Sequence, residues 1–346
     1  MTIFAMNFPS FAARVHREFG KSPAAAAEVY RSFYRLGTCG LEDLPPQMGR
    51  SSWVAEIRRT LLGPPATIVG EKTSGGVTKF ISRLVDGLEI ESVLVPMERY
   101  VTACISSQVG CRMGCRFCET GKMGLLRQLS AAEISFQVFA ARHLLGQRVK
   151  NVVFMGMGEP FDNFDAVLEA VDVISDQRGL DIAERNITIS TSGRIDGILR
   201  LAGLGRPHIR LAVSLNAPDD EIRSRIMPIN RRNPMAELRS ALLAFPVKPG
   251  YHIVVEYVLI RDLNDKIPHA DRLADYLDDL PVKLNLIPCN AGPGSDFLPP
   301  SDGVVDAFRR RLVERGIFVR MRTPKGRDLL AACGQLGRGF DRPATG

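Results

Sequence analysis

The sequence lacks the marks of a secreted, fibrous or membrane-spanning protein. Its 346 residues include only seven cysteines and one tryptophan. Seven cysteines in so long a chain exclude a disulfide-dense scaffold. No apolar run approaches the roughly 18 residues needed to cross a bilayer. The stretch MTIFAMNFPSFAARVHREFG has a brief apolar segment but no basic segment before it, and so makes a poor secretory signal. There is no internal repeat and no low-complexity tract. Hydrophobic residues make up 45% and charged residues 24%, which excludes a disordered tail or a collagen-like fibre. A chain of this size buries a large core and leads us to expect about two domains. The expected location is the cytoplasm, where thiols stay reduced and a cysteine cluster reads as metal or redox chemistry.

Net charge is +7, from 45 basic against 38 acidic residues. That excess suits a polyanion such as RNA, and an ordinary basic surface fits it equally well. Arg223-Ser-Arg225, Arg231-Arg232, Arg309-Arg310-Arg311 and Arg320-Met-Arg322 are the basic segments that would meet it. Each alone reads as a helix or strand surface.

Residues 1–63 predict a small helical domain, with Phe11, Val15, Phe19 and then Val29, Phe33, Leu36 at helical spacing. Over 66–103 the period changes to two around Ser74-Gly75-Gly76, which predicts a short antiparallel extension. From 104 to 337 strands alternate with helices. Strand candidates are 152–156, 187–191, 209–214, 253–259, 283–288 and 317–321. Helix candidates begin at Ser130, whose Ser130/Glu133 pair forms a capping box, and continue at 162–176, 219–226, 235–244, 267–278 and 301–315. Such alternation predicts a parallel sheet. Six strands fit an incomplete barrel or a doubly wound sheet, since a full eight-unit barrel takes about 250 residues. Residues 338–346 form a polar tail.

The strongest chemical signal is Cys111-Arg-Met-Gly-Cys115-Arg-Phe-Cys118. Spacings of three and two, loosened by Gly110 and Gly114, let one loop wrap three sulfurs around one metal centre. Structural zinc wants four ligands. Three cysteines suit an iron–sulfur cluster with one iron left open. Zinc completed by Cys104 or Glu119, or plain structural thiols, are the alternatives. Phe154-Met-Gly156-Met-Gly158-Glu159-Pro160 follows an apolar strand; its glycines allow close backbone approach to a ligand, and its carboxylate lies at a strand end. Asn186-Ile-Thr-Ile-Ser190-Thr-Ser-Gly193, Leu211-Ala-Val-Ser214-Leu215-Asn216-Ala-Pro218 and Asn285-Leu-Ile-Pro-Cys-Asn290 also end strands with polar groups. Read without other context, those groups would be helix caps.

CxxxCxxC at the head of a β/α array resembles the radical S-adenosylmethionine (SAM) superfamily. More narrowly, the chain resembles the RlmN/Cfr-type radical-SAM RNA adenine methyltransferases from about 66 to 337, and weakly before that. The resemblance rests on Cys104-Ile-Ser-Ser-Gln-Val-Gly-Cys111, the cysteine loop, Gly-Met-Gly-Glu-Pro, Ser-Thr-Ser-Gly, Met227-Pro-Ile-Asn230-Arg and Ala-Ala-Cys333-Gly-Gln-Leu.

The resemblance implies an α/β fold: an incomplete (β/α)6 radical-SAM barrel with a small N-terminal helical domain that grips RNA, and a short antiparallel β extension. It implies one [4Fe–4S] cluster on Cys111, Cys115 and Cys118. It implies two SAM molecules per turnover, with SAM contacts at Gly158, Glu159, Ser190, Ser214, Leu215, Asn216 and Asn290. The target ring carbon is electron-poor, so ordinary displacement on SAM has no nucleophile. The family instead methylates a thiolate, here Cys333, with the SAM sulfonium and Arg327 as candidate neighbouring charges. A 5′-deoxyadenosyl radical then removes hydrogen from that methyl group, and the carbon radical adds to adenine. A base, here Glu91, takes the ring proton, and Cys104 attacks the sulfur to leave a Cys104–Cys333 disulfide that external reductant reopens. The implied substrate is carbon 2 of adenosine in 23S rRNA, with tRNA as a second substrate. Carbon 8, another radical-SAM substrate and a non-catalytic metal-containing RNA-binding module are the alternatives. The implied partners are RNA and an external electron donor such as flavodoxin, with no membrane and a monomer as the default. The chain departs from the family pattern at Asn216, where His is common, and at Glu119 and Cys289.

Overall fold

The computed structural model describes residues 2–290, 295–322 and 326–337, with the side chain of Arg327 left aside; the tail 338–346 lies outside them. Helix α1 (Phe8–Phe19) begins where the Asn7 side chain accepts from Ser10 N and ends at Gly20, whose φ of 62° is open to glycine. Its Phe8, Phe11, Ala12 and Val15 are buried on one face. Helix α2 (Pro23–Tyr34) is capped by Ser22, and α3 (Pro46–Gly49) and α4 (Ser52–Thr60) complete the helical region.

These helices share a core with the rest of the chain. Phe4 and Phe33 pack edge-on, and both lie against Phe139. The Tyr30 and Tyr34 phenols donate to Met6 O and Ile3 O, and Ser135 Oγ donates to Phe4 O. One apolar cluster runs from Ile3 to Leu336.

Strands β1 (Ala66–Ser74), β2 (Val77–Leu84), β3 (Glu89–Pro96) and β4 (Val101–Cys104) are antiparallel neighbours. A two-stranded ribbon of β5 (Gln108–Cys111) and β6 (Gly124–Gln128) brackets the short helix α5 (Glu119–Lys122). The alternating array comprises α6 (Ala131–Phe139), β7 (Val149–Phe154), α7 (Phe164–Ser175), β8 (Ile187–Thr191), α8 (Ile195–Ala202), β9 (Arg210–Ser214), α9 (Asp220–Ile226), α10 (Met235–Ala244), β10 (Ile253–Leu259), α11 (Ile267–Leu277), β11 (Val282–Pro288), α12 (Asp302–Glu314) and β12 (Val319–Met321). The capping box at Ser130 and Glu133 is formed as predicted.

One ten-stranded sheet holds everything but the ribbon, in the order β1-β2-β3-β4-β7-β8-β9-β10-β11-β12. Strand β4 is the junction: antiparallel to β3 on one side and parallel to β7 on the other. The boundary expected at 103/104 therefore falls inside a strand, and extension and barrel are one sheet. Counting β4, the parallel part is six strand–helix units closed by β12, among the described residues. The six strands expected from sequence include β12 and omit β4, whose four residues carry too little period to identify. Helix α8 is absent from the sequence expectation, although Ile195, Ile198 and Leu201 recur at helical spacing.

The two faces of the parallel strands differ. Ile187, Ile189, Leu211, Val213, Val255, Tyr257, Leu284 and Leu286 are buried on the outer face, and a fully buried side chain of this kind contributes about 1.5–3 kcal/mol. Thr188, Ser190, Ser214, Glu256 and Asn285 alternate with them and face inward. No described helix is long and apolar enough to cross a membrane.

Candidate active site inside the barrel

Strand register places the candidate residues on a single face. Lys79 pairs with Val93, Ile81 with Glu91, and Val93 with Cys104. Cys104 pairs with Val153, which pairs with Thr188. Ser190 pairs with Ala212, and Ser214, Glu256 and Asn285 pair in a row. Residues two apart share a face, as do directly paired residues. Lys79, Glu91, Cys104, Ser190, Ser214, Glu256 and Asn285 therefore all line the inner surface.

The three-cysteine loop leaves the ribbon at the top of this surface. Cys111 closes β5 opposite Gly124. Gly110 has φ 77°, and a Cβ there would lie 1.9 Å from Gly124 O, so the turn requires glycine. Cys118 N donates to Cys115 O (3.1 Å), and Arg116 N donates to Ile226 O (2.9 Å), which pins the loop to the end of α9. Beside it a cleft of about 260 Å³ is lined by Cys115, Arg116, Lys122 and Phe297 among others. Burial raises all three thiols, Cys111 to about 12. Metal binding there would expel those protons.

The donor set fits the expected cluster in its chemistry: three cysteine thiols on one loop, held by Cys118 N to Cys115 O and by Arg116 N to Ile226 O, are the ligands iron–sulfur clusters take.

The glycine turn after β7 interlocks with the segment leading to this loop. Gly156 N donates to Ile105 O (3.0 Å), Met157 N to Ser106 Oγ (2.8 Å) and Glu159 N to Gln108 Oε1 (2.7 Å). Gly158 has φ 104°, and a Cβ there would meet Gln108 Cβ at 2.6 Å. The Glu159 carboxylate accepts from Ser192 N (2.7 Å), Ser192 Oγ (2.8 Å) and Phe161 N (3.2 Å). Burial raises its pKa, and these donors pull the other way.

Other expected SAM contacts are engaged by the fold. Leu215 is buried in the apolar core, and its carbonyl accepts from Arg223 Nε at 3.1 Å. Asn216 has φ 60°, its Oδ1 accepts from Val258 N (2.9 Å) and its Nδ2 meets Met227 Sδ (3.4 Å). Asn290 Nδ2 donates to Cys333 O at 3.4 Å, so it touches the C-terminal segment.

That segment folds back over the cysteine loop. Glu119 N donates to Gly334 O (2.8 Å) and Thr120 Oγ1 to Leu336 O (2.7 Å). Cys333 is exposed at its surface, with protein packed around the base of its side chain close enough to desolvate a thiolate. Burial first and Glu256 second push its thiol up to about 11, while Arg322 pulls it down. Cys104 and Cys333 are free thiols, and burial, then the charge of Cys333, raises Cys104. Glu91 is buried, with Oε2 at 2.8 Å from Lys79 Nζ.

Two residues depart from the sequence expectation. Arg223, expected to meet RNA, is fully buried; its guanidinium donates to Leu215 O, Ser192 O, Ser214 O and Asn230 Oδ1. Arg225, Arg231 and Arg232 nearby are exposed, while Arg311 is paired with Asp271. Lys79 is a site residue that sequence reasoning misses, though a lysine inside Val-Thr-Lys-Phe-Ile at strand period is the available signal.

Comparison with known proteins agrees with this arrangement. Residues 105–274 match the Radical SAM superfamily. The chain is 41% identical to "Probable dual-specificity RNA methyltransferase RlmN 1" of Protochlamydia amoebophila (strain UWE25), over 97% of this chain and 94% of that one. It is 42% identical to "Dual-specificity RNA methyltransferase RlmN" of Geobacter sulfurreducens, over 92% and 87% respectively. A crystal structure of a radical SAM methyltransferase from Sphaerobacter thermophilus superposes with TM-score 0.90 at 37% identity, covering 97% of this chain and 99% of that one. The thiol-bearing loop, the interlocked glycine turn and these relatives converge: the chain belongs to the RlmN family of radical-SAM RNA methyltransferases, enzymes that work with a [4Fe–4S] cluster and SAM.

Proposed function

We propose that this enzyme methylates a ring carbon of adenine, carbon 2, in 23S rRNA and in tRNA, through a covalent protein–RNA thioether. Cys111, Cys115 and Cys118 would hold the cluster, and Gly158, Glu159, Ser190, Ser214, Leu215, Asn216 and Asn290 would surround SAM. When bound, this pair supplies the methyl group, from one SAM, and the 5′-deoxyadenosyl radical, from a second. The Cys333 sulfur carries the methyl group to the RNA. The Glu91 carboxylate takes the proton from the modified ring carbon. Cys104 attacks the Cys333 sulfur, releases the product and leaves a disulfide that an external reductant must reopen. Flavodoxin is the class of electron donor expected.

The observation that carries this reading is the docking of the Cys333 segment on the cysteine loop. Glu119 N, just after Cys118, donates to Gly334 O beside Cys333, and Lys79 Nζ reaches both Glu91 Oε2 and Leu330 O of the same segment, which supports a shared site for Cys333 and Glu91. A flipped-out adenine would enter this site. The test is Cys104→Ala. Anaerobically reconstituted C104A, given SAM, reductant and total RNA, should accumulate RNA bound to Cys333, and sequencing that RNA names the nucleotide. Free, unmethylated Cys333 and no bound RNA would refute the covalent route.

A further inference from the structure

A lysine fully buried inside a sheet is rare, because removing an ammonium from water costs several kcal/mol. Lys79 is such a residue, with no exposed surface. Its Nζ lies 2.8 Å from Glu91 Oε2 and donates to Leu330 O at 3.2 Å. Leu330 stands three residues before Cys333, at a φ of 51°, where a non-glycine backbone is strained. The turn beyond it is held at Cys333 O by Asn290 and at Gly334 O by Glu119 N. One ammonium therefore touches both the side chain of Glu91 and the backbone of the segment that carries Cys333. A buried ion pair adds little stability over apolar residues of similar volume, so its main physical effect is to fix where the groups point.

We propose that Lys79 is a positioning residue that holds the Glu91 carboxylate and the Cys333 turn in one frame, aiming the base at the ring carbon bonded to Cys333. This deepens the reading of Glu91 as the base and rests on it. The proton passes from the ring carbon to a Glu91 oxygen; Lys79 touches neither the RNA nor the reacting atoms. Methylation of Cys333 precedes that transfer and does not need it.

The test uses holoenzyme and transcribed 23S rRNA whose adenines carry deuterium on their ring carbons. Intact mass reads Cys333 methylation, a denaturing gel reads the adduct, and mass spectrometry of the adduct reads deuterium. Lys79→Met should still yield methylated Cys333, because that step needs no base and the turn keeps its anchors at Asn290 and Glu119 N. Its adduct should persist about a hundredfold longer and retain deuterium, because a general base typically supplies at least that factor. C104A adduct, blocked one step later, should have lost it. Glu91→Gln should match K79M, and the double variant K79M/E91Q should be no slower than E91Q. With both charges gone, the double variant keeps the question answerable if lone K79M fails to fold. A K79M adduct without deuterium, or a double variant about tenfold slower than E91Q, would overturn the role of Lys79. Deuterium lost from the E91Q adduct would instead overturn the reading of Glu91.

Discussion

Arg223 offers the sharpest stability test of the barrel mouth. Its guanidinium donates to Ser192 O at 2.7 Å, Asn230 Oδ1 at 2.8 Å, Leu215 O at 3.1 Å and Ser214 O at 3.2 Å. Those acceptors lie just beyond β8, at the end of β9 and after α9. The side chain thus ties together the strand ends that carry Ser192 and Ser214. A Cβ on Gly193 would lie 2.8 Å from its Nη2, so the fit is tight. Arg223→Met keeps the length and removes every donor. Hydrogen bonds to a charged group contribute about 1.5–3 kcal/mol each, so four amount to roughly 6–12 kcal/mol gross. Against that stands the several kcal/mol that burying the charge costs, which methionine avoids. The expected net loss is about 3–5 kcal/mol, as when a buried charge network is broken. Arg223→Lys should recover little, because a single ammonium cannot span acceptors on three segments. Urea unfolding of the reduced, metal-free chain reads the loss as a lower midpoint, and calorimetry with SAM should show affinity reduced about tenfold or more, a shift of about 1.4 kcal/mol. An R223M protein within about 1 kcal/mol of the parent, with SAM affinity intact, would show that these contacts do not hold the mouth.

Gly158→Ala should destabilise by about 2–5 kcal/mol, the sum of backbone strain at φ 104° and a clash with Gln108; a melting temperature equal to the parent's would contradict it. Alkylation of Cys333 by iodoacetamide in the metal-free protein should accelerate about tenfold per pH unit between about pH 7 and 10, because the thiolate is the reactive form and the thiol sits at about 11. The sign is fixed by burial and Glu256, which disfavour the thiolate, so Arg322→Ala should slow the reaction further; peptide mass spectrometry reads the site, and a profile already flat at pH 8 would refute the shift.

Much of the chemistry was legible in order along the chain. Cys111, Cys115 and Cys118 lie within one loop, so their spacing alone implied a shared centre. The Ser130/Glu133 cap, the glycines of Gly-Met-Gly-Glu-Pro and the alternation of strand and helix periods are likewise local. Asn216 and Leu215 show the limit of this reading. The sequence marks them as polar or strand-end positions beside a motif, and only the fold shows that Val258 N, Met227 Sδ and Arg223 Nε also engage them and so fix how they are presented. Arg223 reversed outright, from surface charge to buried clamp.

Residue order and periodicity determined the β/α architecture and marked Cys111, Cys115 and Cys118 as one candidate metal centre, because each depends on neighbours a few positions away; the roles expected of Cys104 and Cys333 came from the family resemblance alone. Tertiary structure alone decided that Lys79, Glu91 and Cys104 share a face with the barrel interior, and that the Cys333 segment returns to the three-cysteine loop. Those contacts join residues such as Lys79 with Leu330 and Thr120 with Leu336, far apart in the chain. They arise only when β4 pairs on both edges and merges two sheets into one, a pairing that four residues cannot announce by their own pattern.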